Sequence, residues 1–116
     1  VNVLKKGIKD RWIDVYPNKN KRTGGYSGGC YDTYPYILLN YLDRYNDMST
    51  LIHEIGHSMH SYYSREFNDY EYSNYTIFVA EVASTVNELL LANFIEVGIT
   101  VKMCLSKTRA FLLTLF

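Results

Sequence analysis

Cysteine is scarce in this chain. The two present, Cys30 and Cys104, stand far apart and are too few for a disulfide framework. With no secretory leader ahead of them, the expectation is a reduced, cytoplasmic protein. An excess of one charge is also lacking, since 12 Lys and Arg balance 12 Asp and Glu. That gives no support to a nucleic-acid or membrane partner, both of which favour a basic stripe. Long apolar runs are missing too: no stretch reads as the roughly 20 apolar residues that cross a bilayer, and the apolar tail Ala110–Phe116 is shorter. The length of 116 residues fits one modest domain. Tyrosine, by contrast, is abundant, with 12 residues. Its large contact area and polar tip suit half-buried packing, or a site that binds a chain of mixed polarity.

The first half reads as strands. Ile8–Tyr16 is rich in β-branched and aromatic residues, Pro17–Gly25 is a turn-rich basic loop, and Tyr26–Tyr31 and Tyr36–Tyr41 are further strand candidates. From Met48 the period changes. Met48, Ile52, Ile55, Met59 and Tyr62 recur every three or four residues, predicting a helix with Asn46 or Asp47 as its N-cap. Ser64–Asn74 reads as a loop. A second helix is expected over Thr76–Phe94, with Val82, Val86, Leu89 and Leu90 on one side and Glu81, Ser84, Thr85 and Glu88 on the other. Gly98–Val101 is expected to end it. The fold class is α+β, mainly α: a small antiparallel sheet followed by two helices, in a single domain over 1–116 whose stretch 93–116 has no clear assignment.

The chemistry concentrates in His53-Glu54-Ile55-Gly56-His57. Two histidines one turn apart put both imidazoles on one helix face, where they can share a tetrahedral ion. Glu54 sits beside the pair, placed to reach a metal-bound water rather than to ligate, which is why this spacing makes a water-activating zinc site. By chance the pentapeptide appears in roughly one chain in 300 of this length, so context has to strengthen it. Glu81 lies a loop and a returning helix beyond His57, on a polar stripe with Ser84 and Glu88. A polar stripe that is to be buried needs a reason, and a metal with the groups that orient its ligands is one. His60 shares the histidine face and is a further candidate, in an outer position or as a ligand. Cys30 could instead supply sulfur, as in small Cys-His-His hydrolases, or be an inert thiol. Gly56, costly inside a helix, marks close approach of another backbone, a neighbouring helix or a substrate.

The run His53-Glu-Ile-Gly-His-Ser-Met-His60, the stretch Tyr75–Leu90 containing Glu81, and the upstream segments Trp12–Pro17, Lys21–Ser27 and Tyr34–Asn40 resemble the oligoendopeptidase F family, bacterial relatives of the thimet-type zinc oligopeptidases. The resemblance covers roughly Lys9 to Ala92. It implies a zincin-like catalytic core of a larger helical peptidase fold that cuts short peptides in a deep channel. One Zn²⁺ would sit on His53, His57 and Glu81, with Glu54 as general base and Glu88, Ser84 and His60 outside the ligands. Gly25, Tyr26, Ser27 and Gly28 would lie in a sheet edge that pairs with an extended peptide substrate, a mode tolerant of sequence. Family members are several times longer, and their downstream tyrosine and histidine residues that stabilise the tetrahedral intermediate have no counterpart here. Beyond Ala92 no likeness is evident, which fits a truncated or frameshifted reading frame. The expected function is therefore a zinc endopeptidase. The alternative is a non-catalytic zinc-binding remnant, which would need the rest of the peptidase fold or a partner chain over its apolar surface.

Overall fold

The computed structural model describes the backbone of residues 2–114 and the side chains of residues 2–103; the Cys104 thiol and the side chains of the tail Ala110–Phe116 lie outside it. The chain opens with helix α1 (Asn2–Lys9), followed by strands β1 (Ile13–Asp14), β2 (Tyr26–Gly28) and β3 (Tyr36–Leu38). Helix α2 (Tyr45–Phe67), a 3-10 turn over Tyr70–Tyr72 and helix α3 (Ile77–Thr114) complete it.

The first strand is far shorter than its composition predicts, because its leading residues belong to α1. That helix ends on Arg11 in a left-handed conformation (φ 58°), with the Trp12 amide donating to the Gly7 carbonyl at 3.0 Å. Trp12 folds back over Gly7, where a Cβ would lie 2.6 Å from the indole, and stacks on Tyr34 and Tyr62. The turn sends β1 out parallel to β3, pairing Ile13 with Ile37, while β2 pairs antiparallel with β3. The sheet is therefore mixed, in the order β1-β3-β2, rather than antiparallel. In the loop between β1 and β2, the buried Lys21 ammonium donates to the Asp14 and Tyr16 carbonyls and pairs with the Asp14 carboxylate at 3.1 Å.

Helix α2 lies on this sheet. Ile37, Leu39 and Ile55 form the buried centre, with Leu4, Ile13, Leu51, Ile52 and Met59 packed around it. The helix starts earlier than expected, with Arg44 as N-cap and Asp47 three residues inside. The Asp47 carboxylate reaches back to accept from the Leu42 and Arg44 amides at 2.9 and 3.2 Å and from the Arg44 guanidinium. The hydrogen-bonded Arg44 side chain, helped by the two amides, holds the Asp47 carboxyl below its ordinary 3.8. A carboxyl lowered on folding stabilises above its unfolded pKa, and that contribution is lost as pH falls through the folded value. Asp47→Asn is expected to lower the melting temperature near neutrality and to flatten its fall below about pH 4. Melts across acid pH check this, and an unchanged acid slope contradicts it.

Helix α2 runs on to Phe67, so Ser64 lies within it, and its hydroxyl donates to the Ser73 carbonyl at 2.7 Å. Helix α3 returns antiparallel along α2, the pair in closest contact in the chain. The polar stripe, not the apolar one, faces α2. Ala80 and Ser84 are buried, whereas Val82, Val86, Leu89 and Leu90 are exposed. The reason is local: small side chains on the polar stripe meet Gly56, and a close helix–helix approach is possible on that stripe alone. Gly98 does not end the helix; a single glycine costs only about 1 kcal/mol, and no proline follows it in the sequence. As a result Ile77–Met103 is, by length and mean hydropathy, long and apolar enough to cross a membrane, which corrects the expectation that no segment is. Its carboxylates Glu81 and Glu88 both reach histidines of α2.

Candidate metal centre

The site forms where α3 crosses the middle of α2. A Cβ on Gly56 would stand 2.6 Å from the Ser84 Cα and 2.9 Å from the Ala83 carbonyl oxygen. The close approach marked by this glycine is thus that of the neighbouring helix backbone. It delivers Glu81 to the two histidines. His53 Nε2 lies 3.5 Å from Glu81 Oε2 and His57 Nε2 lies 3.8 Å from Glu81 Oε1. The two rings sit edge to face, 4.7 Å apart. One donor atom from each of the three residues falls within 4.8 Å of the others, the only such group among the described residues.

The surrounding hydrogen bonds decide what this gap accepts. Glu88 Oε1 lies 3.2 Å from His53 Nδ1, so the proton of a neutral ring belongs on Nδ1, donated to the carboxylate, and Nε2 turns a lone pair toward Glu81. Ser84, fully buried, donates its hydroxyl to the Glu81 carbonyl at 3.0 Å and to Glu81 Oε2 at 3.2 Å. His57 Nδ1 is buried with no hydrogen-bond partner among the described residues, so no protein group ties down its ring, and a cation between the two Nε2 atoms and the Glu81 carboxylate would be bound by all three residues. Two imidazole nitrogens with a carboxylate, leaving one position open, match zinc in its catalytic coordination. The residues present therefore fit the metal.

Glu54 does not join this group. The residue is 8% exposed, and its carboxylate has no hydrogen-bond or ion-pair partner among the described residues, its oxygens keeping contact with solvent. It lies on the stripe Thr50–Glu54–Ser58 of α2, the side on which β2 packs: Ser58 bonds Ser27, and Gly25 sits against Thr50. Gly25, Tyr26, Ser27 and Gly28 form this edge strand and the residue before it. His60 lies apart from the metal group, with its ring stacked on Tyr75 at 4.0 Å. Tyr75 in turn bonds Ser61 just ahead of α3. Cys30 is exposed in the turn after β2 and stands outside the donor group; its amide is bound by the Thr33 hydroxyl and its carbonyl by Arg65. Two participants escaped the sequence reading, the Ser58 and Ser49 hydroxyls, whereas Ser27 was expected in the substrate-binding edge and not as the partner of Ser58. Only the polarity of Ser49 and Ser58 on a helix otherwise facing core and metal pointed to them.

The sequence profile of peptidase family M3 matches residues 1–97. The chain belongs to peptidase family M3. The match runs past both ends of the Lys9–Ala92 resemblance. Oligopeptidase PepF of Bacillus subtilis is 56% identical over 94 residues, which is 81% of this chain and 14% of that protein. An oligoendopeptidase F homolog of Borreliella burgdorferi is 52% identical over 80% of this chain and 16% of its own length. Among solved structures, a peptidase from Chlamydophila abortus superposes with a TM-score of 0.76 at 52% identity, covering 79% of this chain and 16% of that one. An oligoendopeptidase F structure from Bacillus anthracis gives 0.68 at 28% identity over 75% of this chain and 16% of its own. The mainly helical fold with a small mixed sheet is thus that of the oligoendopeptidase F structures. The chain spans about one-seventh of the length of these M3 relatives.

Removing the Glu88 carboxylate should show first as weaker metal binding. Glu88→Ala leaves His53 free to turn and its Nδ1 without an acceptor, and such orienting partners typically contribute about 10–100-fold in metal affinity. Competition titration with a zinc chelator checks this, and an affinity equal to the parent's contradicts it.

Proposed function

We propose that this chain is the zinc-holding core of an endopeptidase that hydrolyses short peptides. The observation that carries the reading is the convergence of His53, His57 and Glu81, with the carboxylate of Glu54, which follows His53 in the sequence, unpaired among the described residues. When bound, zinc supplies a water whose pKa is lowered toward about 7 and a Lewis acid for the substrate carbonyl. His53, His57 and Glu81 hold it, Glu88 and Ser84 fix the orientation of His53 and Glu81, and Glu54 accepts the proton of the attacking water and returns it to the leaving amine. The open edge of β2, paired on one side with β3, offers main-chain groups to an extended peptide.

A second reading, zinc binding without catalysis, draws on the exposed α3 stripe. Val82, Val86, Leu89, Leu90 and Phe94 face solvent along one helix, more apolar surface than an isolated soluble domain usually leaves open. The remainder of a peptidase fold or a partner chain would cover it. Incubating a pool of short peptides with zinc-loaded and chelator-stripped protein, read by mass spectrometry, separates the two. Cleavage by the loaded form alone supports the peptidase. Zinc-bound, folded protein that cuts nothing supports the binding-only reading.

A further inference from the structure

Strand β2 is three residues long and lies at the edge of its sheet. So short a ladder does not by itself define a register along a neighbouring helix. Contacts with α2 do. Gly25 packs without a side chain between Leu39 and Thr50, where a Cβ would stand 2.9 Å from each. Ser27 Oγ and Ser58 Oγ share a hydrogen bond of 2.7 Å. Beyond the strand, the Arg65 guanidinium donates to the Gly29 and Cys30 carbonyls at 2.9 Å. Glu54 lies between the first two of these anchors. Ser58 is the buried one, at 2% exposure in the interior of a helix, where alanine is the better helix former. A buried hydroxyl there is tolerated because Ser27 satisfies it.

Resting on the reading of β2 as the edge that holds the peptide, we propose that Ser58 is a positioning residue, whose bond to Ser27 locks β2 in one register along α2 and so determines which peptide bond of a strand-paired substrate meets Glu54. The bond touches neither metal nor substrate and acts through the strand.

The test compares Ser58→Ala, Ser27→Ala and the double variant with the parent, using Ser64→Ala as a control at the far end of α2. Amide hydrogen exchange in the metal-free full chain reads the lock itself. Exchange at Tyr26–Gly28 should rise about fivefold to tenfold in either single variant, and no further in the double, because both singles break the same bond. Exchange in the middle of α2 and α3 should stay at its parent value in the Ser27 and Ser58 variants, and exchange of the β2 amides should stay at its parent value in Ser64→Ala. Unchanged exchange at β2, or a uniform rise through both helices, overturns the proposal. If Ser58→Ala does not fold, Ser27→Ala alone carries the comparison, since its half-buried strand position tolerates truncation. In zinc-loaded protein given one defined hexapeptide, the parent should cut one dominant bond and the variants should spread cleavage to the bonds beside it. A loosened β2 with unchanged cut sites overturns the link to register. A parent that cuts nothing tells against the peptidase reading instead, and the exchange comparison still decides the anchor.

Discussion

Glu54→Gln is expected to bind zinc as the parent does and to lose about 10²–10⁴-fold in peptide hydrolysis, the usual contribution of a positioned general base. The amide matches the carboxylate in size, and Glu54 stands outside the donor group of His53, His57 and Glu81, so the metal has no reason to leave. What disappears is the ability to take a proton. A second effect separates this from simple damage. The Glu54 carboxylate has no hydrogen-bond or ion-pair partner among the described residues, and its oxygens keep contact with solvent. An amide at that position removes no contact and should therefore leave the melting temperature of the metal-free protein unchanged. Zinc content, melting temperature and peptide turnover measured side by side check all three. Zinc lost together with activity would instead make Glu54 a ligand.

Gly56→Ala is expected to destabilise the chain and weaken the metal site together. Taken alone, α2 would gain about 1 kcal/mol from alanine in a helix interior. Against this, the new methyl would meet the Ser84 Cα at 2.6 Å, the Ala83 carbonyl oxygen at 2.9 Å and the Ser84 nitrogen at 3.0 Å. These are backbone atoms of a helix and cannot turn aside, so α3 has to move outward. Overpacking of this kind costs about 1–3 kcal/mol, which exceeds the gain in propensity. The displacement acts directly on the site, because the histidines ride on α2 and Glu81 on α3. A lower melting temperature and a zinc affinity reduced at least tenfold are expected. A stabilised variant with parental zinc affinity would mean that the two helices approach less closely than this.

The grouping of His53, His57 and Glu81 was legible because its determinants are local. His53 and His57 need only helical spacing to share a face, and Glu81 and Glu88 need only a returning helix one turn out of step. Glycine inside α2 marked the contact that brings the helices together, although the sequence left open whether a helix or a substrate filled it. The exposure of the opposite face of α3 was not legible. Val82, Val86, Leu89 and Leu90 form an apolar stripe left exposed, while Ala80 and Ser84 take the space on α2. Close packing of small residues against Gly56 selects the polar stripe there. Strand β1 is shorter than Ile8 and its β-prone neighbours suggest because Gly7 leaves room for Trp12 to fold back over the end of α1 in a tight reversal. The parallel pairing of β1 with β3 depends on that reversal, at the positive φ of Arg11, which no alternation of apolar residues encodes.

The most direct test of the central claim is the metal itself. Zinc-loaded protein should contain one zinc per chain, and X-ray absorption at the zinc edge should show nitrogen and oxygen neighbours, including imidazoles, with no sulfur. Glu81→Ala should lower the affinity sharply while Cys30→Ser leaves it alone. A sulfur neighbour, or full zinc affinity in Glu81→Ala, would contradict a site built from His53, His57 and Glu81.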